Sequence, residues 1–172
     1  MAELFSLRAA VEEDRPYLDA YCWNEGMDNL PSLERVTVAA NGDGEPVGFI
    51  RIAFGANGVA HVNPVVVHGS WRGYGVGRAL MEAATAEYGE LRLVARGASV
   101  PFYRALGLED CAWELIDTSV TENCDGCELV PECGPQPMRW AVGGGEPGAA
   151  LDYDALIDSH YDDVLGRYLE LT

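Results

Sequence analysis

Ser70-Trp71-Arg72-Gly73-Tyr74-Gly75-Val76-Gly77-Arg78-Ala79-Leu80 is the stretch of this sequence best suited to hold an anion. It follows a β-branched run (Val62, Val65, Val66, Val67) and opens a helical pattern with apolar positions at Val76, Leu80, Ala83, Ala84 and Tyr88. A strand, a glycine turn and a helix start leave several backbone N–H groups without an intrahelical partner and aimed at one point, which suits a phosphate. Gly73, Gly75 and Gly77 let that phosphate come close to the backbone, and Arg72 and Arg78 add positive charge. A Walker A loop is excluded, because it needs a lysine after its last glycine and the chain contains no lysine. A dinucleotide fingerprint fits poorly, since it belongs to a first βαβ unit and these glycines come after about 70 residues of other material.

The second constellation is Cys124-Asp125-Gly126-Cys127, with Cys133 following. Cys-x-x-Cys and a further cysteine, in a chain whose start reads as cytosolic, suggest a metal knuckle holding structural zinc before they suggest a disulfide. Tetrahedral zinc takes four ligands and only three are local. Cys111 is the natural fourth, with His160 or a carboxylate as alternatives. Unligated thiols and a disulfide or redox pair are the competing readings. Nucleophilic cysteine chemistry is disfavoured, because no histidine neighbours these thiols in sequence.

These groups sit in a chain of 172 residues, the length of one domain with a sizeable core. No apolar run approaches the roughly 20 residues of a membrane span, and no basic-then-hydrophobic leader opens the sequence, so the expected location is the cytoplasm. Eleven arginines face 28 acidic residues, a formal net charge of −17. An acidic surface repels nucleic acid and anionic membrane, and neither is expected as a partner. The acidity is spread along the chain rather than gathered at one site. That favours solvation in a salt-rich cytoplasm, and so a halophilic source, over attraction of a cationic substrate.

The elements that must position the loop can be read in order. Residues 4–9 form a first strand, and Glu12, Glu13, Asp14 and Pro16 start a helix that runs to about Trp23. Residues 35–40 and 47–54 are strands joined by Asn41-Gly42-Asp43-Gly44, a hairpin signal, and a second turn at Gly55–Gly58 leads into a strand over residues 59–68. After the glycine loop and its helix come a short strand at 91–95, a short helix from Pro101 stopped by Gly107, and strands at 111–116 and 138–142. The order predicts an α/β (α+β) fold, a mixed, mostly antiparallel sheet flanked by helices. Residues 1–142 are expected to form the domain, with 118–136 a Cys-rich insertion. Residues 143–150 are a glycine-rich linker, and 151–172 a helical tail whose apolar stripe packs either on its own domain or in a dimer.

Arg72-Gly73-Tyr74-Gly75-Val76-Gly77, followed 25 to 30 residues later by a strand and Phe102-Tyr103-Arg104-Ala105-Leu106-Gly107-Leu108, resembles the GNAT superfamily of acyl-CoA-dependent N-acyltransferases. The resemblance covers residues 1 to about 117 and the strand near 138–142. It implies that Arg72, Gly73, Tyr74, Gly75, Val76, Gly77 and Arg78 grip the pyrophosphate of acetyl-CoA. The backbone of Val65, Val66 and Val67 would pair with the pantetheine arm, and Tyr103 would protonate the departing thiolate. His61 is the expected general base, on the strand where many members carry a glutamate, with Glu25 and Glu34 as competitors. A histidine that only satisfies the fold is the bland alternative, and His68 is near enough to the loop to cap it. Arg96 stands where many members carry an asparagine that bonds pantetheine. The implied activity is transfer of acetyl from acetyl-CoA to a primary amine by direct attack in a ternary complex, by a monomer or homodimer. The alternative is a non-catalytic acyl-CoA-binding module with a structural zinc site.

Overall fold

The computed structural model describes residues 3–121, 124, 126–129, 130–133 and 134–141. Their strands are β1 (Ser6–Ala9), β2 (Val36–Ala40), β3 (Pro46–Phe54), β4 (Ala60–Val67), β5 (Leu91–Ala95), β6 (Glu109–Asp110) and β7 (Gln136–Trp140), and their helices α1 (Arg15–Asn24), α2 (Val76–Tyr88), α3 (Val100–Leu106) and α4 (Val130–Cys133). The strands form one seven-stranded sheet in the order β1-β2-β3-β4-β5-β7-β6. β4 and β5 pair in parallel, and the other described neighbours pair antiparallel. The mixed sheet flanked by helices is the expected fold class.

Local chemistry sets the element ends. Pro16 occupies the first turn of α1, where a missing N–H costs nothing. Asn41 Oδ1 accepts from the N–H groups of Asp43 and Glu45 at 3.0 Å each, closing the β2–β3 hairpin. Gly107 ends α3 with φ of 106°, a conformation that a side chain would strain.

The core lies on both sides of the sheet. On one face α1 buries Leu18 and Cys22 against Val36, Val38, Phe49 and Val66. On the other, α2 and α3 bury Val76, Leu80, Met81, Tyr103 and Leu106 with Ile50, Ile52, Leu91, Leu93 and Met138. The alternation of β2 assigns its residues to opposite faces: Val38 joins the α1 side and Ala39 the α2 side.

Two irregularities open the sheet where a ligand could enter. Ile50 pairs with Val65 but Ile52 with Val62, so Asn63 and Pro64 stand together opposite Arg51 as a bulge in β4. Arg51 Nη1 donates to Asn63 O at 2.7 Å, and Asn63 Nδ2 donates to Val120 O at 3.0 Å. After His61, just before the bulge, β4 leaves its parallel neighbour: the β4–β5 register holds only at Ala60↔Leu91 and His61↔Arg92. Both strands continue, β4 to Val67 and β5 to Ala95, as the diverging banks of a cleft.

One expected strand is corrected. Residues 111–116 form a turn of 3-10 helix at Trp113–Leu115, and the strand here is the two-residue β6. β7 inserts between β5 and β6, so β6 is an edge, and only the N–H of Cys111 still reaches Pro137 O, at 3.0 Å. The linker at 143–150 and the tail at 151–172 lie outside the described residues.

Candidate active site

The divergence of β4 from β5 makes a cavity of about 570 Å³. One bank is Val62 to Val67; the other is Leu93, Val94, Arg96, Ala98 and Ser99. The glycine loop and the start of α2 close one end, and Phe102, Tyr103 and Leu106 of α3 line the wall.

The loop is shaped by glycines where the backbone needs them. Gly73 and Gly75 have φ of 88° and 81°, in the left-handed region. Gly75 is the N-cap of α2, and the first helical bond runs from Ala79 N to Gly75 O at 3.0 Å. The N–H groups of the first helical turn therefore have no helical acceptor and face the cavity end. Gly77 packs against Phe102, whose Cζ would lie 3.0 Å from an added Cβ, so α2 and α3 approach closely at the cleft wall.

The cavity has a charge bias opposite to that of the chain. Its lining carries three arginines, Arg72, Arg78 and Arg96, against one carboxylate, Glu25. In a chain of net charge −17 this is a local positive field, suited to an anionic ligand.

Most of the residues expected at the site line one cleft: Val65, Val66, Val67, Arg72, Gly73, Gly75, Val76, Gly77, Arg78 and Tyr103. Tyr74 is outside the lining, 55 % exposed, with its ring 5.6 Å from that of Trp71. Tyr103 is buried, and burial raises its phenol above the ordinary value, holding it in the neutral form that a proton donor needs.

His61 requires a correction. It is fully buried, and both ring nitrogens are engaged by backbone: Nδ1 lies 2.9 Å from Val59 O, and Nε2 accepts from the N–H of Asp117 at 3.1 Å. A carbonyl only accepts and an amide N–H only donates, so the proton sits on Nδ1 and neither nitrogen is left for an amine. The ring does not line the cleft; it pins the Asp117 segment to β4. Glu34 is also outside the cleft, its carboxylate paired with Arg35 at 2.9 Å. His68 caps the turn that leads into the loop, accepting at Nδ1 from Ser70 N at 3.2 Å.

The zinc expectation for Cys111, Cys124, Cys127 and Cys133 is not supported. Among the described residues no three His, Cys, Asp or Glu side chains come together as a metal-binding group. Backbone contacts order the segment instead. Cys127 N donates to Cys124 O at 3.2 Å, Cys133 N donates to Leu129 O at 2.7 Å, and the end of α4 lies flush against Gly97. Cys127 is exposed, and Cys111 lies among the charges of Arg92, Arg139, Asp110 and Glu90. His160 lies outside the described residues.

Some lining residues escaped the sequence reading. The Asn63-Pro64 bulge had a visible signal, a proline inside a strand-like run, which marks an edge or a bulge. Met27, Ser99 and Thr121 had none, because they reach the cavity only through the path of their loops.

Residues 32–109 match the family model described as acetyltransferase (GNAT) domain. No curated protein matches the chain in sequence. Solved structures share its fold. Ard1 from Thermoplasma volcanium is 18 % identical with a TM-score of 0.59, over 80 % of this chain and 97 % of that one. Naa50 of Arabidopsis thaliana, solved with the bisubstrate analogue CoA-Ac-MVNAL, is 16 % identical with a TM-score of 0.57, over 81 % and 99 %. N-acetylglutamate synthase from Neisseria gonorrhoeae, solved with coenzyme A and N-acetyl-glutamate, is 12 % identical with a TM-score of 0.64, over 81 % of this chain but 35 % of that one.

Proposed function

We propose that this chain, whose residues 32–109 match the family model of the acetyltransferase (GNAT) domain, moves an acetyl group from acetyl-CoA to a primary amine, by direct attack within a ternary complex. The observation that carries the reading is the cleft itself. A strand edge without a neighbouring strand, a helix start with open N–H groups and three arginines converge on one cavity beside a buried phenol.

Each part has a task in that reaction. The N–H groups at the start of α2, with Arg72 and Arg78, hold the pyrophosphate. Val65, Val66 and Val67 present backbone groups to the pantetheine amides, much as a sheet takes an added strand, and aim an N–H at the thioester carbonyl. The amine nitrogen forms its bond to the carbonyl carbon, the carbon–sulfur bond breaks, and Tyr103 gives its proton to the thiolate. His61 takes no part; the amine's proton leaves to solvent in the cleft, and the Tyr103 phenolate takes a proton back from solvent before the next turnover. The acceptor enters on the side of Met27, Asn63 and Thr121, and its class stays open because this part of the scaffold varies with substrate. The alternative, a non-catalytic module ordered by zinc, has no metal-binding group among the described residues to support it.

The test is acetyl-CoA binding by calorimetry, followed by thiol release with a panel of primary amines. Wild-type protein should bind acetyl-CoA and release thiol with at least one amine. Tyr103→Phe should lower kcat by about a hundredfold while leaving the KM for acetyl-CoA within about twofold. No binding by wild type would sink the reading as a whole. Undiminished turnover in Tyr103→Phe would remove only the phenol's role.

A further inference from the structure

Arg72 follows β4 and Arg96 follows β5, so these two arginines stand at the open ends of the two strands whose separation makes the cleft. One residue from a third element engages both. Glu25 closes α1, and its Oε1 accepts from Arg72 Nη2 at 2.7 Å. Its main-chain oxygen accepts from Arg96 Nη1 at 2.7 Å, with Oε2 4.0 Å from the same nitrogen. Arg72 is held a second time, where its Nε donates to Val67 O at 3.3 Å. Glu25 reaches the cleft from the face packed by α1, whereas α2 and Tyr103 reach it from the opposite face. The carboxylate therefore backs the cleft rather than filling the place at the start of α2.

We propose that Glu25 is a positioning residue that ties the two banks of the cleft together and sets the width available to the pantetheine arm, an inference that rests on the acyl-CoA reading above. Without the Glu25 carboxylate Arg72 loses its ion pair and keeps only the longer bond to Val67 O, while Arg96 keeps the main-chain oxygen but loses the negative charge between the two guanidinium groups. A partly exposed ion pair contributes little to global stability. This one is distinguished by what it joins, two strands that share no hydrogen bonds beyond His61 and Arg92. Because Glu25 also begins the loop that leads to β2, the same tie links the acceptor side to the cosubstrate side.

Glu25→Ala and Glu25→Gln in the full chain test this by amide hydrogen exchange and by CoA calorimetry. In Glu25→Ala the amides of residues 62–67 and 95–99 should exchange faster, and the Kd for CoA should rise about tenfold. KM for acetyl-CoA should rise with it, and a fall in kcat without faster exchange would make Glu25 the general base instead and overturn the tie. Both variants keep the main-chain contact to Arg96; Glu25→Gln also keeps an oxygen for Arg72, and should fall between wild type and Ala. A Tm close to wild type in both variants separates a loosened cleft from a misfolded protein. Unchanged exchange in these segments would overturn the tie, as would tighter CoA binding, which would make Glu25 a competitor for the phosphate. Faster exchange in the variants of a protein whose wild type binds no CoA would uphold the tie and sink the acyltransferase reading instead.

Discussion

At the scale of single residues, two hydrogen-bonded groups hold the base of the cleft. His61 joins Val59 O to Asp117 N, and removing the ring leaves the Asp117 N–H without this acceptor, whereas Val59 O keeps the Gly55 N–H at 3.0 Å. His61→Ala should cost about 2–4 kcal/mol by denaturant unfolding, from the lost partners and the void, while kcat per folded molecule is retained. A catalytic base would give the reverse pattern. Asp117 is the companion group. Its carboxylate accepts from the Ser119 hydroxyl, from Ala56 N at 2.8 Å and from Ser119 N at 3.0 Å, and these bonds bring its pKa down to about 2. A folded-state pKa below the unfolded one means that the contribution is complete above about pH 4 and is lost as pH falls towards 2. The amides of Ala56 and Ser119 should therefore lose exchange protection through that window, and Asp117→Ala should remove the dependence.

At the scale of elements, the cleft depends on close backbone approach along β5 and its continuation. Gly97, in the turn that carries Ala98 and Ser99 into the cleft, leaves no room for a side chain. An added Cβ would lie 2.6 Å from Cys133 O and 3.1 Å from Gly134 O, both main-chain atoms. Gly97→Ala should cost about 1–3 kcal/mol and raise the KM for acetyl-CoA, because the cleft bank and the cysteine segment shift together. Parallel thermal melts and kinetics of this variant check both effects. If stability falls and KM does not move, α4 braces the fold without shaping the cleft.

At the scale of the whole molecule, charge works in two directions. The net charge of −17 makes the compact state repel itself, whereas the cleft gathers three arginines around one glutamate. Added potassium chloride screens both effects. From low ionic strength upward, Tm should rise as self-repulsion is screened, and the KM for acetyl-CoA should rise as attraction to the cleft weakens. A Tm that falls with salt would mean that specific ion pairs, such as Arg8 with Asp14 at 2.7 Å, outweigh the general repulsion. No helix among the described residues is long and apolar enough to cross a membrane.

The sequence by itself determined what depends on neighbours along the chain. Strand periodicity, the Asn41–Gly44 hairpin, the proline start of α1 and the glycine stop of α3 are local preferences, and so is the strand, glycine turn and helix around Arg72–Gly77. The tertiary structure decided what depends on neighbours across it. Strand alternation could not say whether His61 faces a substrate or a backbone amide, because Asp117 is 56 positions away and the bulge at Asn63-Pro64 changes the facing of everything beyond it. The spacing of the cysteines carries the pattern of a metal knuckle, but a ligand set exists only when side chains meet, and among the described residues no such group forms, while backbone bonds and the contact with Gly97 hold α4. The sequence singled out Glu25 only as a competitor for the general base, and nothing along the chain pointed to its arginine partners. Its tie to Arg72 and Arg96 exists because β4 and β5 part after two paired residues and α1 ends beside the gap.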